Sequence, residues 1–314
     1  MTIMRKTVDG FAVSIMILVC LIWGTQQVAI KGVAEEISPV LQVAIRSGIA
    51  AVLVWIVMLI RKESFHHMGN TLKAGLLVGL LFGLEFLFVA EGLQYTSASH
   101  MSVFLYTAPA FAALGLQIFL PAERLSPAQW LGIALAFVGI LVAFLSGSTG
   151  NANMTTDNLI GDGLGLLAGL SWGMTTVVIR CSKLNESPAS QTLFYQLAIA
   201  AVLLFLYAYF TGQLRFSIGI KSGLSLTFQA FIVAFISYLV WFALLKKYLA
   251  SQLGVLSFMT PIFGVLAGAL ILKDKVESGF ISGTLFILIG ILIVSGYPWL
   301  KKRLKSYRNI HISQ

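Results

Sequence analysis

Long apolar runs separated by short polar breaks organise this chain. They lie near 10–30, 39–60, 72–92, 98–119 and 126–146, then near 161–180, 188–210, 222–245, 252–272 and 278–300. Each is close to the ~20 residues that cross a bilayer as helix. The runs are continuous rather than alternating, which excludes a β-barrel. The first run follows Arg5 and Lys6 and so resembles a signal peptide. It is longer than a signal core and lacks a clear small-residue cleavage site, so it reads as a retained helix. The longest polar break, from Ser146 to Ile160, is rich in Gly, Asn and Thr. It divides the chain into a first half (1–148), a polar linker (149–160), a second half (161–300) and a basic tail (301–314).

The two halves repeat one another. Trp23-Gly24 recurs as Trp172-Gly173, and Ile49-Ala50-Ala51-Val52-Leu53 as Ile199-Ala200-Ala201-Val202-Leu203. Ala98-Ser99-His100 recurs as Ala250-Ser251-Gln252, with Pro109 and Pro261 beyond. Glu123-Arg124-Leu125 recurs as Asp274-Lys275-Val276, and Gly132 with Gly139 as Gly283 with Gly290. The offset stays near ~150 residues, the size of one duplicated unit. Apolar helices resemble one another by chance, but ordered matches of Trp, Pro, acid and Gly do not arise so easily. Five helices per unit make the second half enter the membrane inverted. The expected fold is therefore an all-α membrane protein of ten transmembrane helices in two inverted five-helix repeats. Inverted repeats mark secondary transporters, with the substrate site near the midplane between the halves.

Composition agrees with this reading and removes one rival. Apolar residues make up 58% of the 314 and charged residues 11%, against roughly a quarter charged in a soluble domain. The net charge of +9 would suit nucleic acid, but its residues sit in short loops and the tail. Arg5, Lys6, Arg61, Lys62, Lys73, Arg124, Arg180, Lys183, Lys246, Lys247 and the tail share one side. Only Lys31, Arg215, Lys221, Lys273 and Lys275 fall opposite, which predicts cytoplasmic termini. Topology explains the charge, and no nucleic-acid partner is expected. Cys20 and Cys181 read as isolated thiols in helices.

Tyr95-Thr96-Ser97-Ala98-Ser99, then Pro109, Glu123-Arg124-Leu125 and the Gly132/Gly139 helix resemble the pattern of EamA-type proteins. These belong to the drug/metabolite transporter superfamily. Trp23-Gly24 is similar to the family's opening motif, and the resemblance spans nearly all of 10–300. It implies ten helices around a central cavity and export of amino acids or related metabolites across the inner membrane. Glu85, Glu91 and His100 depart from the general pattern, as does Tyr248-Leu249-Ala250-Ser251 in the second half.

Ionisable groups inside the membrane cost about 2.5–3.5 kcal/mol and usually face a partner or a cavity. Arg46 in the second helix and Glu85 in the third both lie roughly 10 Å below the outer boundary, at 1.5 Å per residue. Their repeat counterparts, Gln196 and Ser237 or Tyr238, are neutral, so both charges disappear together. A static pair locking the two helices and a cavity-facing pair binding a zwitterion or relaying protons are both compatible with this. Gln26 could join the same level, whereas Gln27 then faces elsewhere. Trp23 and Trp172 lie too deep for an interfacial belt, and serve either packing or substrate. Tyr106 and Tyr238, the latter with Trp241, are weaker cavity candidates. His100 reads as a polar interfacial residue able to titrate near neutral pH. The Gly75/Gly79/Gly83 and Gly161/Gly165/Gly169/Gly173 ridges suit close helix packing.

No His-Glu-x-x-His, Gly-x-Ser-x-Gly or paired aspartate marks an enzyme, and no cofactor or metal is expected. The expected partners are a small-molecule substrate and the lipid bilayer, with protons as candidate coupling ion and a monomer or homodimer as the assembly. Export of drugs or other organic compounds is the alternative to amino acids, and a receptor without transport the remaining one.

Overall fold

The computed structural model describes residues 6, 8–63, 68–120, 125–146, 156–248, 253–254 and 256–312. Arg5, His66, His67, Glu123, Arg124, Ala250-Ser251-Gln252 and most of the linker lie outside them. The first half holds α1 (Gly10–Lys31), α2 (Pro39–Ile60), α3 (Met68–Tyr95), α4 (Ala98–Leu105), α5 (Ala108–Phe119) and α6 (Pro127–Ser146). The second holds α7 (Thr156–Arg180), α8 (Ala189–Phe210), α9 (Ile220–Thr227), α10 (Tyr238–Lys247), α11 (Met259–Ala267) and α12 (Ser278–Ile312). Seven helices are long and apolar enough to cross a membrane, counting Ala98–Phe119 and Ile220–Leu244 as one each. Pro127–Ala143, Met259–Leu272 and Ser278–Val294 are shorter apolar helices.

Local chemistry sets the boundaries. Asp9 caps α1 by accepting the Ala12 amide at 2.9 Å, and Pro39 opens α2, where a missing N–H costs nothing. The run 98–119, expected as one helix, is broken at Tyr106-Thr107. Pro109 lies in the first turn of α5 and could donate no bond back across the break. The second half breaks alike at Ser257-Phe258, ahead of Pro261. The run 222–245 differs too, because Phe228–Ser237 is wound as π-helix between α9 and α10. Such wide turns are uncommon and gather at functional positions. α12 does not stop near 300 but continues to Ile312, so the basic tail extends the last helix.

The packing shows the duplication in three dimensions. α6 lies against α12, and α2 against α8, each helix with its own repeat counterpart. A Cβ on Gly132 would sit 2.6 Å from the Gly290 carbonyl, and one on Gly139 2.6 Å from that of Gly283. Gly132 and Gly139 correspond to Gly283 and Gly290, so this crossing has the reciprocity of a two-fold. Likewise the Trp-Gly step of α1 packs on Thr260–Gly264, and that of α7 on Ala108–Ala112. Links at the helix ends follow the same rule. Ser38 Oγ donates to the Gln213 carbonyl, and its counterpart Ser190 donates to Glu63, the counterpart of Gln213.

At one end of the bundle Lys6 donates to the Lys247 carbonyl at 2.9 Å, and the Tyr248 hydroxyl donates to Asp9 at 2.9 Å. These hydrogen bonds hold the Asp9 carboxyl below the usual carboxylate range, the Ala12 amide contributing most. This is the terminal end; Lys31, Thr96 and Glu277 mark the far end.

Candidate functional site

Helices α1, α2, α3 and α7, with the segment 228–247, surround a buried group of charges and aromatic rings. Arg46 of α2 is 1% exposed and Glu85 of α3 is 5% exposed. They sit within electrostatic reach of each other and of Tyr238. They do not form the direct pair allowed by their depth. Among the described residues the ion pairs within 4.0 Å are both made by His100. The Arg46 guanidinium instead lies 4.3 Å over the Phe86 ring. Arg46 Nε and Nη1 and Glu85 Oε2 are buried without a hydrogen-bond partner. Each such group forgoes about 1–3 kcal/mol, so the arrangement is poor as a structural clamp.

The aromatic wall is continuous with these charges. The Trp23 ring meets Tyr238 edge-on at 5.9 Å and Trp241 at 5.5 Å, and its indole N–H donates to Ser237 Oγ at 2.7 Å. Phe82 meets Tyr238 at 6.4 Å and Phe86 at 4.9 Å. On the other side Tyr106, in the break between α4 and α5, meets Trp172 at 5.1 Å and 85°. Tyr106 also lies within electrostatic reach of Glu85 and Tyr238. Trp23, Arg46, Glu85, Tyr106, Trp172 and Tyr238 therefore share one site. Gln26 and Gln196 are buried at 4% and 8% exposure, but no contact ties them to it. The Gln27 amide oxygen and Thr260 Oγ1 are further buried atoms without partners.

A second polar group occupies the far end, and sequence reasoning placed only part of it. His100 is not an interfacial residue: it is 8% exposed, stacked on Phe280 at 3.8 Å and 3°. Its Nδ1 lies 2.9 Å from Asp162 Oδ2, and its Nε2 3.7 Å from Glu277. Asp162 is fully buried and also accepts from Thr96 Oγ1. Asp274 accepts from the amide and hydroxyl of Ser99 at 3.0 and 2.9 Å. Lys31 Nζ donates to the Thr96 carbonyl. The acid in Gly161-Asp162-Gly163 was visible as an intramembrane charge, which was the available signal. No cluster of His, Cys, Asp and Glu among the described residues is arranged to hold a metal ion.

An all-helical, duplicated bundle with apolar outer faces and unpaired charges inside defines a membrane transporter rather than an enzyme. The EamA-like transporter family matches residues 10–145 and 159–296, so the chain belongs to that family. "Uncharacterized transporter YoaV" of Bacillus subtilis is 25% identical over 88% of this chain and 94% of its own. "Probable amino-acid metabolite efflux pump" of Salmonella typhimurium is 26% identical over 91% of this chain and 94% of its own. A solved structure titled "Crystal structure of protein" superposes with a TM-score of 0.63 at 20% identity, over 91% of this chain and 96% of its own. That likeness shows a shared fold.

Proposed function

We propose that this chain is a secondary transporter exporting amino acids or related small metabolites across the bacterial inner membrane by alternating access. Seven long spans and three shorter apolar helices support ten crossings, with the two matched family segments as the inverted halves. The Lys and Arg bias supports cytoplasmic termini. The observation that carries the substrate reading is the buried pair of unsatisfied charges. A zwitterion offers a carboxylate to Arg46 Nε and Nη1, and an ammonium to Glu85 Oε2. Binding would supply the partners that the protein withholds. Trp23, Tyr238, Tyr106 and Trp172 then enclose the remainder of the substrate. The amino-acid efflux name of a relative covering nearly the whole chain points the same way.

Efflux of radiolabelled amino acids from proteoliposomes tests this reading, with Arg46→Gln and Glu85→Gln as controls. Amino-acid efflux abolished by either change supports it. The aromatic wall favours a second reading, export of flat organic compounds. Efflux of such compounds with no amino-acid movement would select it.

A further inference from the structure

The far-end polar group ties three helices across the two halves. His100 is the third residue of α4, and Ser97 caps that helix by accepting the His100 amide at 3.0 Å. Asp162 comes from α7 and Glu277 from the turn before α12. Lys273, in a left-handed conformation at φ 60°, turns the chain after 268–272 so that Asp274 meets Ser99. A recess of 240 Å³ opens beside His100, lined in part by Asn158, Lys275, Glu277 and Ala143.

The chemistry of the imidazole between two acids is restrictive. An ionised Asp162 only accepts, so Nδ1 carries a hydrogen. A neutral ring then turns the Nε2 lone pair towards the Glu277 carboxylate, which repels it. A protonated ring attracts both acids. The other charged groups facing this site are Lys31 from α1 and Asp274 and Lys275 from the turn before α12. Lys31 and Asp274 lie within electrostatic reach of each other. α6 contributes only Ala143 to the recess. The repeat counterparts of His100, Asp162 and Glu277 are Gln252, Val13 and Ser126. The terminal end therefore cannot build the same acid–imidazole–acid arrangement.

We propose that His100 is a proton-binding site that latches the far end of the bundle. With the proton bound, Asp162 and Glu277 hold α4, α7 and the start of α12 together and the recess stays shallow. Loss of the proton frees the Glu277 arm and deepens access towards Ala143. The latch rests on the transporter reading, but its test uses no substrate and so fails or succeeds separately from transport.

The test places one cysteine beneath the recess, Ala143→Cys, in a Cys20→Ala, Cys181→Ser background. Its labelling by a membrane-impermeant thiol reagent is divided by that of an exposed far-end control, Lys221→Cys. This ratio removes the intrinsic pH dependence of thiol chemistry. It is expected to rise about two- to fivefold between about pH 5 and 8, the range of a weak ion pair and a titrating imidazole. His100→Gln should make it flat. Glu277→Gln, at a partly exposed site, should give at low pH the access that the parent shows at high pH. That variant carries the test if His100→Gln does not fold. A ratio independent of pH in the parent would overturn the proposal. So would a rise that survives His100→Gln, or a parental response in Glu277→Gln.

Discussion

The protein buries ionisable groups in two places and treats them in opposite ways. At the far end, His100, Asp162 and Asp274 have short, specific partners supplied by neighbouring helices. In the middle, Arg46 and Glu85 lack them, and Arg46 rests on a ring face instead. Both places lose their charges in the other half of the repeat, so neither follows from the duplication. Satisfied groups add rigidity and specify one packing. Unsatisfied ones are tolerated where something else supplies the missing partner. The far end is therefore built to hold the halves together, and the middle to hold a ligand.

The largest expected effect is functional and falls in the middle. Arg46→Gln or Glu85→Gln should weaken amino-acid transport by about 30-fold or more, the cost of truncating a buried charged contact. The melting temperature in detergent should hardly fall, because no protein partner is lost. A large drop in Tm with transport intact would reverse the comparison.

The far end should show the converse. Asp162→Asn is expected to lower stability by about 2 kcal/mol through lost charged hydrogen bonds. Thermal unfolding without substrate reads this directly. Next comes Trp23→Phe, which removes the bond to Ser237 and keeps most of the ring packing. It should cost about 1 kcal/mol, seen as a few-fold higher KM at unchanged expression.

The smallest effect belongs to Asp9, at neither buried site. Its carboxyl is held low by the Ala12 amide and Tyr248, so its contribution is present above the usual carboxylate range. It is lost as the pH falls through its own lower value. Asp9→Asn should remove that acid dependence from unfolding curves while leaving stability near neutral pH slightly reduced.

Much of this was legible along the chain. The apolar runs located the helices to within a few residues, and Pro109 and Pro261 marked both breaks. The reciprocal contacts of Gly132 with Gly290 and Gly139 with Gly283 followed from spacing alone. The depth of Arg46 and Glu85 could also be read, since rise per residue is fixed. Their rotation about the helix axes could not, and that decides whether the charges touch. His100 and Asp162 are 62 residues apart, and only the packing of α4 on α7 brings them together. The π-wound segment 228–237 also left no sign, because its residues suit an ordinary α-helix equally well.

The claim that Arg46 and Glu85 hold the two ends of a zwitterion is tested most directly by substrate competition. Inhibition of amino-acid efflux by the amino acid, its decarboxylated amine and its deaminated acid would be compared in wild type, Arg46→Gln and Glu85→Gln. The expected result is that Arg46→Gln loses the preference for amino acid over amine, while Glu85→Gln loses that for amino acid over deaminated acid. Unchanged preferences in both variants would contradict it.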